Sequence, residues 1–260
     1  MAQGQALHIG LNHIDARHYG TNGELFGCHA DAQDMQDLST NLGYSAKLLL
    51  DAKATADNVQ KELQTAAAAL EPGDTFLLTY SGHGGQVPDT NGDEPDGRDE
   101  TWCLYDRMLV DDELYALYAS FAPGVRIAIL SDSCHSGTVT RELDLGGRCL
   151  PVKTLERVYA EHHALYDAIQ GKHPTRDEAP VEACIVLISG CQDNQTSADG
   201  DGNGLFTEHL KKVWHDGSFK GTLHRLRGRI AATMPPEQTP NYSVVGKHDR
   251  AFERAQAFAL

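Results

Sequence analysis

The chain has 260 residues, 40% hydrophobic and 23% charged, the profile of a globular domain with one sizeable core. Its formal net charge is −15. That argues against nucleic-acid binding, which needs a basic face, and suits cationic substrates or bound cations, though high solubility alone explains it equally well. Six cysteines occur without any CxxC pair, so a structural zinc site is not expected. The N-terminus shows no signal-peptide pattern and no apolar run has membrane-span length. The expectation is a cytoplasmic protein with reduced thiols and no membrane partner.

In chain order, Leu7 to Leu11 reads as a strand. Cys28 to Leu42 places Met35, Leu38 and Leu42 at helical spacing, with Gly43 as its stop. Ser45 to Leu50 is a second strand. Thr55 caps a helix with Val59, Leu63 and Leu70 on its face. Asp74 to Tyr80 is a strongly apolar strand. Asp111 and Asp112 open a helix carrying Leu114, Leu117, Tyr118 and Phe121, which Pro123-Gly124 ends. Val125 to Leu130 is the next buried strand. Pro151 to Pro180 is polar and reads as a connecting segment, helical around Leu155 to Tyr166. Ala183 to Ile188 resumes the sheet, and two helices follow near Leu205 to Trp214 and Leu223 to Thr233. The β-α-β alternation predicts an α/β fold with a mostly parallel sheet covered on both faces.

In such sheets chemistry gathers at the carboxyl ends of the strands. Two strands end in unusual polar sequences. DTFLLTY runs into SGHGGQ, which places His83 among glycines; RIAIL runs into SDSCHSG, which places Cys134 just past its strand. A free thiol is only a few per cent thiolate at neutral pH, so it needs a base. An imidazole supplies that base and then the acid for the leaving amine. The amides of Gly84 and Cys134 are placed to bind an oxyanion. A buried cysteine or a lone histidine is, taken singly, usually a packing residue. Both together, each after an apolar strand, favour a dyad of His83 and Cys134.

These residues resemble metacaspases. YSGHGGQ (Tyr80 to Gln86) and DSCHSG (Asp132 to Gly137) are similar to that family's histidine and cysteine motifs. Cys134 follows His83 by 51 residues, near the ~50 of caspases. HIGLNHI, LFGCHADAQDM, NGDEPDGRDETW, LVDDEL, ISGCQDNQTSADG, GLFTEHL and EQTPNYS extend the resemblance in order along nearly the whole chain. It implies one caspase-like domain over 1–260: a three-layer α/β/α sandwich around about six strands. Residues 1–150 form the half resembling a large subunit, 151–180 the connection, and 181–260 the half resembling a small subunit.

The resemblance also implies a cysteine endopeptidase, most often monomeric, that cuts protein or peptide substrates after Arg or Lys. Its basic-reading pocket maps onto Asp31 and Asp132, with Ser81 and Asp193 on the wall. Asp31 has a second reading, as a carboxylate favouring a helix N-terminus. Self-processing is expected at a basic residue in or beside the connection: Arg148, Lys153, Arg157, Lys172 or Arg176. No cofactor is needed for the chemistry. Calcium activation in the family draws on positions that match Asp99, Asp111 and Asp112, while the fourth falls on Arg141. The acidic loop itself is no EF-hand, because Glu94 stands where glycine is required. DGDGNG (Asp199 to Gly204) fails likewise, with Leu210 at the bidentate position. Two rival readings remain: a catalytically silent scaffold that binds partners, and a phosphate-binding α/β domain. The second lacks GxGxxG and GxxxxGK[ST].

Overall fold

The computed structural model describes residues 2–92, 94, 96–134, 147–173, 180–192, 195, 197–200 and 202–260. The chain opens with β1 (Gly4–Gly10), a short α1 (Ala16–Tyr19), α2 (Cys28–Asn41), β2 (Ser45–Leu50), α3 (Ala56–Ala69) and β3 (Thr75–Ser81). A small excursion follows: β4 (Gly84–Pro88), β5 (Arg98–Cys103) and β6 (Met108–Val110), then α4 (Asp111–Ala119). The sheet resumes with β7 (Arg126–Asp132), α5 (Val152–Gln170) and β8 (Cys184–Ser189). It closes with α6 (Leu205–Trp214), α7 (Leu223–Ala231), β9 (Asn241–Gly246) and α8 (Arg250–Arg254).

The main sheet has six strands in the order β2-β1-β3-β7-β8-β9. All pairs are parallel except β8 with β9. Successive side chains on a strand point to opposite faces. Leu7, Ile9, Phe76, Leu78, Ile127 and Ile129 therefore join one core, with α3, α4 and α5. Leu77, Ala128, Leu130, Val186 and Ile188 join the other, against α2, α6 and α7. Both faces are covered, as the near-continuous apolar strands require. The predicted cap at Thr55 forms: its hydroxyl accepts the Asn58 N–H at 3.3 Å.

Three elements depart from the sequence reading. The expected connection is mostly one packed helix: α5 buries Leu155, Val158, Tyr166 and Ile169. The second sheet, β4-β5-β6, forms from polar sequence after His83. Strand β9 closes the sheet antiparallel, beyond the last of the expected helices, where the sequence reading has no element. Among the described residues, no helix is long and apolar enough to cross a membrane.

Candidate active site

The register of β3 and β7 sets the site. Ser81 pairs with Asp132, so His83 and Cys134 each stand two residues beyond a matched pair, at the same sheet edge. The His83 turn is braced from below. Its carbonyl accepts the Cys103 N–H at 2.9 Å and the Tyr80 hydroxyl at 2.6 Å. The His83 Nε2 lies 3.0 Å from the Gly23 carbonyl. A carbonyl only accepts, so Nε2 carries the proton and Nδ1 keeps its lone pair. That Nδ1 is buried and has no hydrogen-bond partner among the described residues. Burial lowers the His83 pKa to about 4, against the Gly23 carbonyl, which raises it. The imidazole is therefore neutral at neutral pH.

Cys134 is fully buried. Its Sγ lies 3.6 Å from Cys191 Sγ and accepts the Ser197 N–H. The Cys191 contact, then burial, pushes the thiol pKa well up. The thiol is therefore held protonated in this state.

The chain itself lies across the dyad. The Arg148 carbonyl accepts the Gly84 N–H at 3.0 Å and the Cys134 N–H at 3.2 Å. These are the two amides expected from the sequence to bind an oxyanion. The Arg148 N–H donates to the Ser197 carbonyl at 2.8 Å, and the Leu150 N–H to the Gly84 carbonyl at 3.2 Å. Gly147 bridges Ala198 antiparallel and Cys149 bridges Gly84 parallel. Residues 147–150 thus run through the site as an added strand.

The Arg148 side chain is fully buried in an acidic pocket. Nη2 donates to Asp31 Oδ2 at 2.7 Å. Nη1 reaches Asp132 Oδ2 at 2.9 Å and Ser81 Oγ at 2.8 Å. Asp199 Oδ1 takes Nη2 at 3.0 Å and Nε at 3.3 Å. Burial works against the Arg148 charge, but Asp132, Cys28, Asp31 and Asp199 around it hold its pKa well above the usual value. Burial raises the Asp31 pKa, opposed first by Arg148. The carboxylates are in turn held. Asp31 Oδ1 accepts from Asn203 Nδ2 at 2.9 Å and Gly204 N at 3.0 Å. Asp132 Oδ2 accepts from Thr207 Oγ1 at 3.1 Å.

The structure brings together His83, Cys134, Gly84, Asp31, Asp132 and Ser81. Asp193 and Arg141 lie outside the described residues. Of the basic residues expected near a processing point, Arg148 alone of those described enters the site; Lys153 and Arg157 lie on α5 and Lys172 just after it. The expected calcium positions sit elsewhere. Asp99 is buried on β5, and Asp111 and Asp112 begin α4, where Asp112 Oδ2 accepts Asn91 Nδ2 at 3.0 Å. Among the described residues, no three His, Cys, Asp or Glu side chains gather to hold a metal.

Residues 3–251 match the family model of the caspase domain, Peptidase_C14. This chain belongs to the caspase-domain family. Metacaspase-1A of Neosartorya fischeri is 36% identical over 303 residues, covering 94% of this chain and 66% of that protein. Metacaspase-1 of Arabidopsis thaliana is 34% identical over 230 residues, covering 83% of this chain and 56% of that protein. The chain thus spans only 56% to 66% of the length of these curated relatives. The crystal structure of a Geobacter sulfurreducens protein superposes with a TM-score of 0.93 at 48% identity, covering 99% of both chains. The relatives are metacaspases, which agrees with the resemblance read from the motifs.

Within this caspase domain, sequence reasoning missed Asp199, Ser197, Gly204 and Cys191. Asp199 and Gly204 stood in view within the motifs ISGCQDNQTSADG and GLFTEHL and as a failed EF-hand, but with no role in the pocket. Gly84 is needed for close approach: a Cβ there would meet the Cys134 carbonyl oxygen at 2.0 Å. In Gly84→Ala that clash would push the amide out of place, and the peptide turnover proposed below is expected to fall by about 10²- to 10³-fold, the range for losing one oxyanion donor. Steady-state kinetics on folded protein, with folding judged by circular dichroism, checks this.

Proposed function

We propose that this caspase-domain protein is a cysteine endopeptidase that cuts after basic residues and processes itself between Arg148 and Cys149. One observation carries the proposal. The carbonyl of Arg148 rests on the Gly84 and Cys134 amides while its side chain fills the acidic pocket.

The reaction follows from these positions. His83 Nδ1 takes the Cys134 proton as the thiol turns from Cys191. The thiolate attacks the carbonyl carbon, and the oxyanion gathers on the two amides. The C–N bond breaks, His83 gives the proton to the leaving amine, and a thioester remains. Water, deprotonated by His83, attacks the thioester and releases a carboxylic acid and the free thiol. In self-processing the departing amine is that of Cys149.

In the uncut chain Arg148 stands in the position of a substrate. Protein and peptide substrates with a basic residue before the cut bond are the proposed partners. Calcium activation through Asp99, Asp111 and Asp112 is carried by the resemblance alone. No step is routed through the ion.

Intact mass spectrometry of wild type and Cys134→Ala tests self-processing. Wild type is expected to give two fragments, the second beginning at Cys149, while the variant stays whole. Cleavage in both proteins, or in neither, rules it out.

A further inference from the structure

We propose that Asp199 makes the pocket select arginine over lysine; the inference rests on the basic-directed reading above. The guanidinium has five N–H donors in a fixed plane, and an ammonium has three on a single atom. Around Arg148 the acceptors match the fork. Nε meets Asp199 Oδ1; Nη1 meets Ser81 Oγ and Asp132 Oδ2; Nη2 meets Asp31 Oδ2 and Asp199 Oδ1. Asp31 and Asp132 grip the two ends of the fork and Asp199 its inner edge. Only a guanidinium has a donor on that edge as well as at the ends.

Two further observations give the pocket its shape. Asp199 is also held by backbone: its Oδ2 accepts the Phe26 N–H at 2.6 Å and its Oδ1 the Gly27 N–H at 3.0 Å. The bare backbone of Gly204 lies against the guanidinium. A Cβ there would stand 2.4 Å from the Arg148 Cζ and Nη2 and 2.5 Å from Nη1. The missing side chain leaves a slot that fits a flat group. Lysine ends in a compact tetrahedral head that stops short of where the guanidinium nitrogens sit, which leaves the slot part-filled and Asp199 without its paired contacts.

The experiment compares kcat/KM for two fluorogenic peptides that differ only in Arg or Lys before the cut bond. Wild type is expected to favour Arg by at least about tenfold, since two charge-assisted bonds separate the two side chains. In Asp199→Asn that ratio is expected to collapse toward unity, with Arg turnover falling more than Lys turnover. A merely structural loss would lower both together. Equal turnover of the two peptides by wild type overturns the inference, and so does an unchanged ratio in Asp199→Asn. If wild type cleaves neither basic peptide, the basic-directed reading itself fails. If Asp199→Asn cleaves neither, self-processing of Arg148→Lys makes the same comparison inside the native pocket. A rate at least about tenfold below wild type is expected, and a wild-type rate overturns the inference.

Discussion

Arg148→Gln is expected to stop self-processing and to lower stability in the same stroke. Glutamine is neutral and lacks the fork, so the carbonyl at 148 loses the side chain that seats it on the oxyanion amides. Three carboxylates, Asp31, Asp132 and Asp199, would then share a buried pocket without their cation. Removing one partner of a buried ion pair costs about 3–5 kcal/mol. For a chain of this size that corresponds to a melting temperature lower by roughly 6–20 °C. Differential scanning calorimetry measures the loss, and intact mass the missing cut. Agmatine, a small guanidinium, should restore part of the stability by binding the emptied pocket. A variant that melts as wild type and still splits at Cys149 contradicts the pocket assignment.

The second large effect is expected at the dyad. His83→Ala removes both the base for Cys134 and the acid for the leaving amine. General acid-base catalysis of this kind contributes about 10²- to 10⁴-fold, and peptide turnover should fall by that much. Cys134→Ala removes the nucleophile, so no thioester forms and turnover should drop to background. Neither side chain supports the fold as Arg148 does. The His83 turn is held chiefly by its backbone carbonyl, through Cys103 N–H and Tyr80 Oη, and its ring adds one bond, to the Gly23 carbonyl. Both variants should therefore melt near wild type. A dyad variant that keeps turnover within threefold of wild type, assayed by the same steady-state kinetics, would remove the assignment.

The parallel sheet was legible because its strands are short apolar runs buried on both faces, such as TFLLTY and RIAIL. The dyad was legible because each member follows such a run in a turn of small residues. The remainder depends on contacts between distant segments. Arg148 looks like any other basic residue near the connection, and only the fold carries it under Gly84 and Cys134. Asp199 sits 51 residues from Arg148 and 172 from Gly27, both of which it bonds; locally it resembles a surface acidic turn. Strand β9 has only partly buried side chains, so no apolar run marked it. The α5 helix was under-read because its buried residues are spread along a polar segment.

The central claim, a thiol peptidase directed to basic residues, is tested most directly by a panel of fluorogenic peptides. They carry Arg, Lys or Asp before the cut bond and are assayed with wild type and Cys134→Ala, with and without calcium. Wild type is expected to turn over the basic peptides and not the Asp peptide, and the variant none of them. The calcium arm decides whether Asp99, Asp111 and Asp112 serve an activating ion. Turnover after Asp alone would contradict the acidic pocket, and the absence of turnover in every arm would contradict the enzyme and leave a scaffold.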